Sequence, residues 1–146
     1  MQRLICLAIL LASGAVAGVA SEPEKPEFGQ RDPRHWVVMV TQPGCSFCVR
    51  LEREILQPLR ASGEFQDQVR FTTINIGAPA PLTDFDGSQT TTTTFANRYK
   101  GFGTPTLLFL DSTGKVLSPA KFGVPDVVDF YAYEIEKTIR GLPQLR

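Results

Sequence analysis

Residues Val37 to Leu56 read VVMVTQPGCSFCVRLEREIL. Around His35 to Thr41 the chain is densely apolar and rich in β-branched residues, the pattern of a strand buried on both faces. Gln42-Pro43-Gly44 ends that run, because proline and glycine punctuate regular structure. From Cys48 to Ala61 the sequence CVRLEREILQPLRA places Val49, Leu51, Ile55, Leu56 and Leu59 at a mainly helical spacing, with charges between them. Pro58 is expected to kink or end this helix. Cys45 and Cys48 sit at the seam between strand and helix. Such a pair can be a redox couple, half of a metal site or a structural staple, and the rest of the chain bears on the choice.

The first twenty residues, MQRLICLAILLASGAVAGVA, read as a secretory signal peptide. Arg3 is the positive region, Leu4 to Leu11 the apolar core, and small residues lead to a cut after Ala20, with Ala17 as a second option. A retained anchor is the alternative, since the apolar segment approaches the shortest spans of about 17 residues. Cys6 lies within the apolar core and leaves with it. The mature chain then carries only Cys45 and Cys48, in an oxidising compartment, with no third cysteine to pair. A bridge between such close partners closes a tiny loop and contributes little chain entropy, which weakens the staple reading. The formal net charge of zero offers no basic surface for nucleic acid or membrane. A zinc site needs four ligands, yet the chain has a single His, His35, and no second cysteine pair. A two-coordinate Cu(I) site stays open, because two thiolates suit that ion.

Residues 21–34, SEPEKPEFGQRDPR, are rich in proline and charge and read as an extended lead-in outside the core. The domain is expected over 35–146. Val69 to Ile76 alternates as a strand does. Gly77 to Thr93 reads as a long loop with a solvated Thr run, and Thr94 as the cap of a short helix, FANRYK, stopped by Gly101. Leu107 to Leu110 is a second buried strand. Asp111 to Lys115 is a hairpin turn, and Val116 starts the return. A last helix is expected over Asp126 to Arg140, with Pro125 suited to its first turn and a broad stripe of Val127, Val128, Phe130, Tyr131 and Ile135. The order is β-α-β-α-β-β-α, an α/β fold with a central mixed sheet flanked by helices.

At a helix start, Cys45 lies near unpaired N–H groups that stabilise a thiolate, the reactive species. Cys48, one helical turn on, is placed to attack a mixed disulfide formed on Cys45. Strand, Cys-x-x-Cys and helix, followed by Gly103-Thr104-Pro105-Thr106 leading a strand and hairpin, resemble the thioredoxin superfamily. The resemblance implies that Cys45 is the nucleophile and Cys48 the resolving thiol. It also implies that Pro105 is cis beside them, and that the backbone of Thr104 pairs with a client strand, with Gly44 and Phe47 in contact. Within the superfamily, QPGCSFC, TDFDG (Thr83 to Gly87) and GTPTLLFLDSTGK are similar to the secreted SoxW proteins, and less closely to SoxS. That likeness implies a periplasmic thiol:disulfide reductase with no cofactor beyond its own disulfide, and a single small domain without a spare interface signal is expected to be a monomer. A membrane donor of the CcdA or DsbD type would supply electrons, and a client such as a sulfur-carrier protein would receive them. A disulfide oxidant or isomerase is the alternative. Met39 stands where cytoplasmic thioredoxins carry a buried Asp, Gly44 where they carry Trp, and Ser46-Phe47 where they carry Gly-Pro. Loss of the buried acid removes a proton acceptor for Cys48. Arg50 and Glu52 read as a solvated face, His35 as a strand-edge residue, and Asp84 to Gly87 as a turn ahead of a calcium loop.

Overall fold

The computed structural model describes residues 27–28 and 32–145; the expected signal peptide lies outside them. Strand β1 (His35–Thr41) is central. It pairs in parallel with β2 (Val69–Asn75) and antiparallel with β5 (Thr106–Leu110), which carries β6 (Val116–Phe122) at its other edge. The mixed sheet therefore runs β2-β1-β5-β6. Strands β1 and β5 are buried along nearly their whole length, and mostly apolar, because helices cover both faces. Val37, Met39, Leu107 and Phe109 face one core with Leu51, Ile55, Tyr131 and Ile135. The alternate residues Trp36, Val38, Val40, Leu108 and Leu110 face a second core with Phe28, Leu82 and Phe95. The period of two along each strand thus builds a three-layer α/β domain.

The helical run after the cysteines differs from the expected single helix. It starts earlier, as α1 (Ser46–Leu51), widens to a π turn over Glu52–Leu56, and continues as α2 (Gln57–Ser62). Pro58 neither ends nor breaks it. The Gln57 N–H reaches back to the Glu52 carbonyl, so the register has already widened where proline lacks its own N–H. The run stops at Gly63, whose φ of 69° is left-handed.

The long loop is also more ordered than its composition suggests. It contains a small hairpin, β3 (Pro81–Thr83) with β4 (Gln89–Thr91), and α3 is Thr92–Arg98. The cap is Thr91, not Thr94: the Thr91 hydroxyl accepts the Thr94 N–H at 3.2 Å. The Thr run is not simply solvated. Buried Thr92 donates to the Asn75 carbonyl at 2.6 Å and accepts the Ala80 N–H at 3.2 Å, and Thr93 donates to the Ile76 carbonyl at 3.2 Å. Those tertiary bonds select which of five consecutive threonines, Thr90 to Thr94, begins the helix. Helix α3 ends at Arg98, ahead of the expected stop. Gly101 then permits close packing, because a Cβ there would lie 3.2 Å from Val40.

Two further expectations are corrected. The lead-in contributes Phe28, which is 1% exposed and stacks on Phe85 and Phe95 while meeting Trp36 edge-on. The last helix, α4, is Val128–Arg140, so Pro125 precedes it. Its stripe is narrower than expected: Tyr131, Ile135 and Ile139 are buried, while Val127 and Phe130 face solvent. His35 is buried at the start of the central strand, where Nε2 meets the Pro143 carbonyl at 2.8 Å and ties down the C-terminal segment. Among the described residues, no helix is long and apolar enough to cross a membrane.

Candidate active site

Cys45 and Cys48 form a disulfide, with sulfurs 2.06 Å apart. Strand β1 ends at Thr41, and a turn through Gly44 delivers Cys45 to the N-cap of α1. Gly44 has φ 76°, a left-handed conformation, and a Cβ built there meets nothing within 4 Å. The position demands glycine for its backbone, and it leaves open space beside the first cysteine. The Cys45 sulfur accepts the Cys48 N–H at 3.1 Å, and the Cys45 carbonyl accepts the N–H groups of Cys48 and Val49. This is the helix-start environment expected from the sequence.

The two sulfurs differ in access. Cys48 is 3% exposed, whereas Cys45 is partly exposed. A cleft of about 520 Å³ opens beside them, with Met39, Gln42, Cys45, Cys48, Glu52 and Gln57 among its walls. Glu52, expected on a solvated face, is among the residues that line this cleft, and its carboxylate is paired with Arg60. Its spacing of one helical turn from Cys48 is the only sequence signal for that. Arg50 is not on the cleft. It pairs with Glu54 at 3.2 Å, so it is committed elsewhere. Phe47 projects from α1 with 53% exposure.

The Thr104–Pro105 peptide bond is cis. In the register of β1 and β5, Val40 opposes Thr106. Pro105, which immediately precedes β5, is therefore at the same end of the sheet from which the chain leaves β1 toward the cysteines. Pro105 is buried, and its carbonyl accepts the Gly123 N–H at 2.9 Å. Thr104 is partly exposed, and among the described residues its backbone N–H and carbonyl take no hydrogen-bond partner. Gly103 lies against the exposed Phe122 ring, 2.3 Å from where its Cβ would stand.

Asp84 to Gly87 is a turn: the Gly87 N–H bonds the Asp84 carbonyl at 2.9 Å, and Gly87 has φ 82°. Buried Asp84 is paired with Arg98. Among the described residues, no group of three or more His, Cys, Asp or Glu side chains is placed to hold a metal ion.

Fold and paired cysteines together define a thioredoxin-fold protein with a Cys-x-x-Cys disulfide. The chain belongs to the thioredoxin-like domain family, whose model matches residues 27–123. Among solved structures it is similar to a thioredoxin-fold protein from Helicobacter pylori, at 17% identity and TM-score 0.58, over 83% of this chain and 78% of that one. It is also similar to a DsbH oxidoreductase, at 14% identity and TM-score 0.56, over 92% and 96% of the two chains. A thioredoxin from Malassezia sympodialis aligns at 11% identity and TM-score 0.52, over 82% and 90%. At these identities the likeness is one of fold. Comparison with curated proteins gives no match.

Proposed function

We propose that this protein is a periplasmic thiol:disulfide oxidoreductase that works as a reductase of client proteins. The observation that carries the reading is the asymmetry of the pair. Cys45 is accessible and holds a backbone N–H on its sulfur, while Cys48 is buried one turn behind it. In the reduced protein, Cys45 attacks a client disulfide and forms a mixed disulfide. Cys48 then attacks the Cys45 sulfur, restores the internal bridge and releases the client as a thiol. Thr104 presents an unpaired backbone edge next to this chemistry, suited to an extended client segment, with Pro105, Gly44 and Phe47 around it.

The reducing direction and the compartment are supported by the sequence likeness to SoxW and by the signal-type leader. On that reading the client is a thiol protein of sulfur oxidation, and a membrane partner of the CcdA or DsbD type re-reduces the pair. Equilibration of the Cys45–Cys48 couple with glutathione tests the direction. A potential near −270 mV, roughly that of thioredoxin, is expected. A value near −120 mV, roughly that of a strong oxidant, would assign the protein to disulfide formation instead.

A further inference from the structure

The central sheet has two outer edges, and the chain treats them differently. At one edge, β6 carries Pro119 and Lys121, and its register with β5 shifts on either side of Phe109. Each of these discourages pairing with a further strand. At the other edge, β2 keeps an unbroken register with β1 and contains neither proline nor lysine. Its one charged residue, Arg70, lies over the Trp36 ring and binds Asp32. We infer that β2 is a self-association edge, to which a second copy of this chain adds its own β2 in antiparallel register.

Alternate residues of β2 turn their backbone groups toward β1 or away from it. Gln68 gives its carbonyl to the His35 N–H, and Ile76 gives its N–H to the Thr41 carbonyl, so the even-numbered residues face β1. The odd-numbered residues face outward. The Val69 N–H is taken by the Phe65 carbonyl, and the Asn75 carbonyl by the Thr92 hydroxyl. Between them lie the Val69 carbonyl, both groups of Phe71, both groups of Thr73 and the Asn75 N–H. Among the described residues these take no hydrogen-bond partner.

That row of donors and acceptors is complementary to itself when reversed. A two-fold axis at Thr72 sets Phe71 against Thr73 of the second copy, and Val69 against Asn75, so donor meets acceptor along the row. The two groups left over in this pairing, the Val69 N–H and the Asn75 carbonyl, are the two already satisfied. Charge favours the same orientation. Arg34, Arg60 and Arg70 line a cleft at the Val69 end, while Asn75 to Ala78 carries no charge. Antiparallel pairing holds the guanidinium groups of the two copies apart, where parallel pairing would gather them. The product is one sheet of eight strands, four from each copy, and the two cysteine loops leave it in opposite directions. The signal lies in backbone direction and not in side-chain composition, so the sequence alone suggests a monomer.

Sedimentation velocity in the presence of a reductant, across a range of concentrations, should show a species of twice the chain mass. Thr73→Pro removes an outward donor and no bond to β1, an orientation in which an edge strand tolerates proline. It should weaken self-association by at least about a hundredfold, while the near-UV circular dichroism and the alkylation rate of reduced Cys45 stay as in the parent. Thr73→Val keeps the donor and should associate as the parent does. Hydrogen exchange gives a reading without substitution. The Phe71 and Thr73 amides should gain protection as the larger species forms, while those of Thr72 and Ile74, turned to β1, are protected at every concentration. A single-chain mass throughout, or a dimer that Thr73→Pro leaves intact, would overturn the inference. So would Phe71 and Thr73 protection that arises only when a disulfide-bonded protein is added, which would give the edge to the client.

Discussion

The backbone N–H of Cys48 points at the sulfur of Cys45, 3.1 Å away. One residue of the pair thus stabilises charge on the other, and the same geometry buries the donor's own thiol. After reduction, the two cysteines should therefore react unequally with a small electrophile. We expect iodoacetamide to modify Cys45 at least about tenfold faster than Cys48 near neutral pH, since reactivity follows thiolate character and access. Peptide mapping by mass spectrometry reads the ratio.

Thr92 ties the end of β2 to the segment before β3, with its hydroxyl donating to the Asn75 carbonyl and accepting from the Ala80 N–H. Thr92→Val keeps the shape and removes both bonds, leaving a carbonyl and an N–H without a partner. Stability should fall by about 1–3 kcal/mol. Denaturant unfolding checks it, and the Cys45 reaction rate should be unaffected.

Phe28 is separated in sequence from the rings it packs on, yet it closes the second core. Phe28→Ala should cost about 3 kcal/mol or more, the usual loss for a buried ring. A cost under about 1 kcal/mol would mean that the N-terminal segment only rests on the domain. Urea unfolding of the full chain decides.

Asp32 receives the Arg34 side chain, with the Arg34 backbone N–H and Arg70 adding to it, and these hold its carboxyl down at about 2 from an ordinary 3.8. Because the folded value is depressed, the stabilisation is complete above pH 3.8 and is lost as the pH falls toward 2. The full displacement corresponds to about 2.4 kcal/mol, and with both arginines about one-third exposed, solvent screening brings it to about 1 kcal/mol. Asp32→Asn should be less stable than the parent by that amount at neutral pH and equal to it near pH 2. Paired denaturation curves at the two pH values test it.

The parts of this molecule that were legible in its sequence are those set by short-range period. The dense apolar run of β1 and the Asp111–Lys115 turn appear where expected, and the spacing after Cys48 gives a helical run without its earlier start or its π turn. The elements that escaped depend on partners far away in the chain. Phe28 sits in a charged, proline-rich stretch, and only Phe85, Phe95 and Trp36 make it core. Five consecutive threonines, Thr90 to Thr94, look alike until Asn75 and Ile76 accept hydroxyls from two of them. Pro58 looks like a break until the π turn ahead of it is seen. In the site, Cys45 and Cys48 were evident from spacing. Glu52 was not, because a carboxylate one turn from a cysteine has the same pattern whether it faces water or a cleft.

The proposed exchange requires that Cys45 attack and Cys48 resolve. The most direct measurement is non-reducing mass spectrometry of reduced Cys48→Ala after mixing with a disulfide-bonded protein. A covalent adduct should form on Cys45, persist until a reductant is added, and be absent in Cys45→Ser. No adduct on Cys45, or model-disulfide reduction by Cys45→Ser at the rate of the unmodified protein, would contradict the account.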